Sequence, residues 1–118
     1  MIEFKYIIIG LIILFFIWRM MPVKGVDNLS SAEVKKKIAN HKVQFIDVRT
    51  PGEFQAGHVK PFKNIPLHNL KKQNNKLDKN KEVVIICRSG SRSMNACRQL
   101  KKMGFTKITN VRGGMNAW

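Results

Sequence analysis

The hydrophobic pattern is most extreme at residues 6–18, YIIIGLIILFFIW, which hold no charge and would be apolar on every side of a helix. A helix of that kind suits lipid better than a half-wet surface. The uncharged run is shorter than the roughly 20 residues needed to span a bilayer. Ile2, Phe4, Met20 and Met21 complete it, provided Lys5 and Arg19 extend their charged ends to the two interfaces. Tyr6 and Trp18 stand where interfacial aromatics are expected. The pattern therefore predicts a transmembrane anchor over residues 1–21. A cleaved secretory signal fits less well: Glu3 offsets Lys5, and RMMPVKG after Trp18 offers no small-x-small cleavage site. Arg19, Lys24 and Lys35 to Lys37 follow the span, while only Lys5 and the amino terminus precede it. The positive-inside bias thus predicts a single-pass protein of the cell membrane with its folded part facing the cytoplasm.

After a linker over residues 22–28, punctuated by Pro22 and Gly25, the pattern becomes that of one small domain over residues 29–118. Ser30 and Glu33 form a capping box for a helix running to about Ala39, with Val34 and Ile38 at i, i+4. Residues 43–48, VQFIDV, read as a strand. Thr50, Pro51 and Glu53 then supply the cap, the first helical position and the box residue of a second helix, which Gly57 stops. Residues 64–66 are extended, and residues 68–77 form a polar helix or loop. Residues 81–87 contain VVII, a run suited to a strand covered on both faces. Residues 92–103 predict a helix with Cys97, Leu100 and Met103 on one stripe and Gly104 as its stop. A last strand at 107–111 leads to the Gly113-Gly114 turn. Strands alternating with helices imply an α/β sandwich around a mostly parallel central sheet.

Charge and cysteine content narrow the function. Lys and Arg total 22 against 7 Asp and Glu, a formal net charge of +15. Nucleic acid is not the expected partner, because the charges are scattered and no aromatics interleave with them as a stacking platform. Near anionic headgroups each Lys or Arg would add about 1 kcal/mol of attraction; a merely solvated Lys-rich face is the alternative. Two cysteines ten positions apart fit neither a disulfide framework, a metal knuckle nor a redox dithiol. One free nucleophile and one buried bystander are expected, with no metal and no organic cofactor.

The nucleophile is Cys87, opening CRSGSRS between the apolar strand and the following helix. In an open parallel sheet, ligands bind at the carboxyl ends of strands, where the next helix presents free N–H groups and positive dipole. Arg88 and Arg92 flank the thiol and favour its thiolate. Ser89, Gly90, Ser91 and Ser93 are small enough for the loop to curl its amides into an anion cradle.

Four strings in order, Asp47-Val48-Arg49 with Glu53-Phe54 and Gly57-His58-Val59, then Asn64-Ile65-Pro66, then CRSGSRS, then Gly113-Gly114 with Ala117-Trp118, make the chain resemble the single-domain rhodanese family. The resemblance covers nearly all of residues 29–118. It implies a three-layer sandwich and a sulfurtransferase. Cys87 would take a sulfane sulfur from a small anionic donor such as thiosulfate, becoming a persulfide, and pass it to cyanide or a thiol. Arg88 and Arg92 would steer the donor, and the amides of residues 89–93 would hold the charge. A cysteine phosphatase is the rival chemistry, but it spaces its arginine as Cys-x5-Arg, whereas Cys87 and Arg92 make Cys-x4-Arg, a tighter cradle. A binding module using the fold and the basic surface without turnover is the rival from another class. Where the family commonly has Gly-Ala, this chain has Lys60-Pro61-Phe62-Lys63, which would alter one wall of the entrance.

Structural roles are expected for the remaining polar residues of these strings. Asp47, Arg49 and Glu53 read as an ion-pair cluster at a strand end, and His58 as a hydrogen-bonded structural histidine. Cys97 should be a buried, inert thiol. Trp118 should pack against the sheet.

Overall fold

The four residues of the VVII run have no exposed surface at all, and that burial organises the molecule. The structure, a computed structural model, describes residues 3–20 and 24–118. Ile2 and Met21 of the expected span and Pro22 of the expected linker lie outside the described residues, as do the side chains of Arg19 and Met20.

Five strands form one parallel sheet in the order β1-β5-β4-β2-β3. They are β1 (Val26–Leu29), β2 (Gln44–Asp47), β3 (Lys63–Asn64), β4 (Val83–Ile86) and β5 (Ile108–Val111). Along β4 the side chains alternate between two cores, as a period of two requires. Val83, Ile85 and the following Cys87 pack with Ala96, Cys97, Leu100 and Phe105 on one face. Val84 and Ile86 pack with Val34, Phe45, Phe62 and Val111 on the other. The first core lies under α4 (Leu70–Gln73) and α5 (Ser91–Lys102), the second under α2 (Ser31–Lys35). The result is three layers. A strand covered on both sides can be continuously apolar, which is why β4 carries no polar position.

Both capping boxes form: Ser30 and Glu33 start α2, and Thr50 with Glu53 starts α3 (Pro51–Ala56), with Pro51 in its first turn. The polar stretch before β4 resolves into α4 between two short 3-10 turns, held by the fully buried Leu70.

Two boundaries differ from the expectation. Helix α2 ends at Lys35, short of Ala39, and residues 36–39 continue as turns. The sheet begins at Val26, inside the stretch expected to be linker, because β1 pairs in parallel with β5 from Val26 opposite Ile108 to Leu29 opposite Val111. Its middle residues, Asp27 and Asn28, hide the strand signature. Its hydrogen bonds come from β5, and the Asn110 side-chain amide adds one to the Asn28 oxygen at 3.0 Å.

Helix α1 (Phe4–Met20) has 17 residues, a rise of about 25 Å against a hydrocarbon core of about 30 Å. Among the described residues no helix is long and apolar enough to cross a membrane. Its large apolar side chains from Phe4 to Trp18 are all exposed. Trp18 meets the domain through Arg98 of α5, whose guanidinium lies 5.4 Å from the ring centre.

Leu100 is fully buried between α5 and β4. Leu100→Ala should lower unfolding free energy by about 3 kcal/mol, measured by denaturant titration, since transfer and cavity terms add.

Candidate functional site

Cys87 stands one residue beyond β4, where the chain must leave the sheet and turn into α5. The turn ends at Gly90, whose φ of 106° is a left-handed conformation that glycine adopts without steric cost. It brings the Gly90 N–H to 3.0 Å from the Cys87 sulfur. The thiol in turn donates to the Ser93 hydroxyl at 3.3 Å, and that hydroxyl donates to the Gly90 carbonyl at 3.0 Å. The sulfur therefore sits at the N-terminus of a 12-residue helix with no acidic residue in its first turn. There the helix dipole and free amides favour negative charge.

The expected loop residues divide. Gly90 and Ser93 touch the sulfur, Ser93 through its hydroxyl rather than its amide. Arg88, Ser89 and Ser91 are exposed. Cys87 itself has no exposed surface. Ser93 and its hydroxyl bridge are not marked by any pattern beyond the small size of the side chain.

Arg92, in the first turn of α5, is paired rather than a lone cation. Its guanidinium forms two parallel bonds to the Glu53 carboxylate, at 2.6 and 2.9 Å. Glu53 is also the box residue of α3, accepting from the Thr50 N–H at 3.2 Å. The Arg92 bonds hold the Glu53 carboxyl far below its ordinary value, down to about 2, with the Thr50 bonds adding to the effect and partial burial opposing it. Arg92 is raised in turn, first by the Glu53 bond and then, against the opposing effect of partial burial, by the charges of Glu53, Cys87 and Asp47.

The expected cluster of Asp47, Arg49 and Glu53 is thus two separate pairs. Buried Arg49 grips buried Asp47 with bonds of 2.8 to 3.0 Å and reaches the Gly57 carbonyl at 2.7 Å. Glu53 belongs to Arg92. Asn64 ties the Asp47 pair to β3, donating to the Asp47 and Arg49 carbonyls at 3.0 and 2.9 Å. His58 stacks on Phe54 at 3.8 Å and its Nδ1 lies 3.0 Å from the Phe54 carbonyl oxygen. Cys97 is fully buried on the stripe facing β4, and burial pushes its thiol up to about 12. Trp118 meets Phe62 edge-on at 5.9 Å. Phe62, from the stretch where the family pattern is broken, is therefore buried in the core opposite Cys87.

A cavity of about 360 Å³ lies beside Arg92, walled by Val48, Thr50, Pro66 and Leu67. A larger one of about 610 Å³ opens at the β2–β3 edge, around Gln44, Ile46 and Lys63, and holds none of the expected site residues. Among the described residues no three His, Cys, Asp or Glu side chains gather as metal ligands.

A parallel sheet with a single cysteine loop between its central strand and the next helix defines a class of thiol-centred α/β domains. Within it, the chain belongs to the rhodanese-like domain family, whose pattern matches residues 30–118. It is 43% identical over 94 residues to YtwF of Bacillus subtilis, covering 79% of this chain and 90% of that protein. A sulfurtransferase of Allochromatium vinosum is 34% identical over 94 residues, covering 79% and 88%. Among solved structures, a rhodanese-like domain protein from Staphylococcus aureus superposes with a TM-score of 0.72 at 34% identity, covering 78% of this chain and 90% of that one.

Because the folded-state value of Glu53 is depressed from 4.5 to about 2, its stabilisation is present above the unfolded value and lost as pH falls toward the folded one. Glu53→Gln should cost about 1 kcal/mol near neutral pH, the modest figure reflecting solvent screening. The gap from the native chain should close as pH falls from about 4.5 to about 2, followed by thermal unfolding at each pH.

Proposed function

We propose that this protein is a sulfurtransferase that carries sulfane sulfur as a Cys87 persulfide. The observation that carries this reading is the Gly90 N–H on the Cys87 sulfur at the start of α5, beside an arginine braced by Glu53. The named sulfurtransferase among its relatives supports it. In the first half-reaction the thiolate attacks the outer sulfur of thiosulfate. A sulfur–sulfur bond forms to Cys87, the donor's own sulfur–sulfur bond breaks, and sulfite leaves with that electron pair. In the second, cyanide or a thiolate attacks the outer sulfur and the Cys87 thiolate departs. Splitting the transfer this way replaces one hard step with two easier ones.

The residues near the sulfur suit both charge states. With the thiol protonated, Ser93 accepts its hydrogen. Once the proton leaves, the hydroxyl can swing from the Gly90 carbonyl to donate to the anion, since a serine hydroxyl both donates and accepts. Arg92 then supplies fixed positive charge without needing to titrate, and Arg88 at the surface attracts anionic donors.

The covered Cys87 favours one other reading, a binding module that keeps the fold but does not turn over. We further infer that α1 places the domain at a membrane, on the strength of its continuous exposed apolar surface and the +15 net charge, with the domain on the cytoplasmic side.

Incubated with thiosulfate, the full-length protein should gain the mass of one sulfur and then transfer it to cyanide, while Cys87→Ser does neither. Absence of both from the native chain would leave the binding module. Removing residues 1–21 should abolish co-sedimentation with phosphatidylglycerol-containing vesicles; retention of binding by the truncated chain would refute the role given to α1.

A further inference from the structure

The last residues of the chain touch the cysteine loop through main-chain atoms. The Met115 N–H donates to the Cys87 carbonyl at 2.8 Å, and the Asn116 N–H to the Arg88 carbonyl at 2.9 Å. In a trans peptide unit the C=O and N–H point in opposite directions. Holding the Cys87 oxygen toward Met115 therefore turns the Arg88 N–H away from it, and holding the Arg88 oxygen does the same for the Ser89 N–H. The Gly90 N–H that follows is already on the sulfur at 3.0 Å. Successive amides turned to one side of a loop make a concavity that favours an anion.

This contact depends on Gly114. Its φ is +57°, and a Cβ there would lie 2.3 Å from the Cys87 oxygen and 2.8 Å from the Arg88 carbonyl carbon and oxygen. All three are main-chain atoms, so no flexible side chain can yield. The turn that carries Gly114 is itself fastened to α2. Ser31 donates its hydroxyl hydrogen to the Ala117 carbonyl at 3.0 Å, and the Lys35 ammonium lies 5.1 Å from the centre of the Trp118 ring.

We propose that Gly114 is a positioning residue: with the Met115 and Asn116 amides it sets the peptide planes of residues 87–89, leaving their N–H groups free for the anionic sulfur. The sulfur-loaded form of that anion rests on the sulfurtransferase reading; the thiolate does not.

The test uses the full-length chain and the ultraviolet absorbance of the Cys87 thiolate followed against pH. Cys97, held up to about 12, stays silent over the range that matters. Gly114→Ala, and a backbone ester at Met115 (the α-hydroxy acid in place of the amino acid), which removes that N–H and adds no atom at the clash point, should each move the Cys87 midpoint upward by about one pH unit, a roughly tenfold loss of thiolate at a given pH. Persulfide formation should slow about tenfold in both. The charged groups around the sulfur, Arg88, Arg92 with Glu53, and Asp47, are unchanged in these variants, so the shift reads the loop amides. Gly104→Ala, at the far end of α5 with φ +97°, should lose stability without moving the midpoint. If Gly114→Ala does not fold, the Met115 ester decides. An unchanged midpoint in the folded variants, or an equal shift in Gly104→Ala, overturns the proposal. A native chain that takes up no sulfur defeats the proposed reaction, while the titration still decides the role of Gly114.

Discussion

Burial of β4 on both faces is the constraint from which the rest follows. A parallel strand with a packed core above and below it is joined to its parallel neighbours by crossovers that pass over the sheet faces. Its chain must therefore leave the sheet abruptly at one end, and it does so at Cys87. The four buried residues Val83 to Ile86 fix that exit point, and the first turn of α5 returns over it because Gly90 supplies the left-handed turn. Position and electrostatics of the thiol are thus consequences of sheet packing.

The two cysteines show how strongly such placement governs chemistry. Both are buried, and both face the same core. Cys97 is buried on a covered helix face, and that burial heavily disfavours its charged form. Cys87 lies at a helix N-terminus with a main-chain donor on its sulfur. Composition alone cannot separate them; the strand-loop-helix context does.

Where the sequence wrote its structure in local terms, it was legible. The boxes at Ser30 and Thr50, the VVII strand and the Gly104 stop depend on neighbours within four residues, and each is found. Strand β1 was not legible, because Asp27 and Asn28 are strand residues only by virtue of β5 beside them. The site divides in the same way. Cys87 and its flanking loop stand out as a contiguous string, as does the Asp47–Arg49 pair two residues apart. The partnership of Glu53 with Arg92 and the main-chain bonds from Met115 and Asn116 join segments far apart in sequence, so spacing carries no trace of them. The expected single cluster of Asp47, Arg49 and Glu53 came from proximity along the chain, while the folded chain sends Glu53 to a different strand-helix junction.

The shared carboxylate of Glu53 has a bearing on how this sequence can change. One oxygen pair serves both the start of α3, through Thr50, and the guanidinium beside the sulfur. Two remote stretches are thereby locked into joint drift: a substitution tolerated at the helix start in isolation would be felt at the arginine, and neither stretch is free to vary alone.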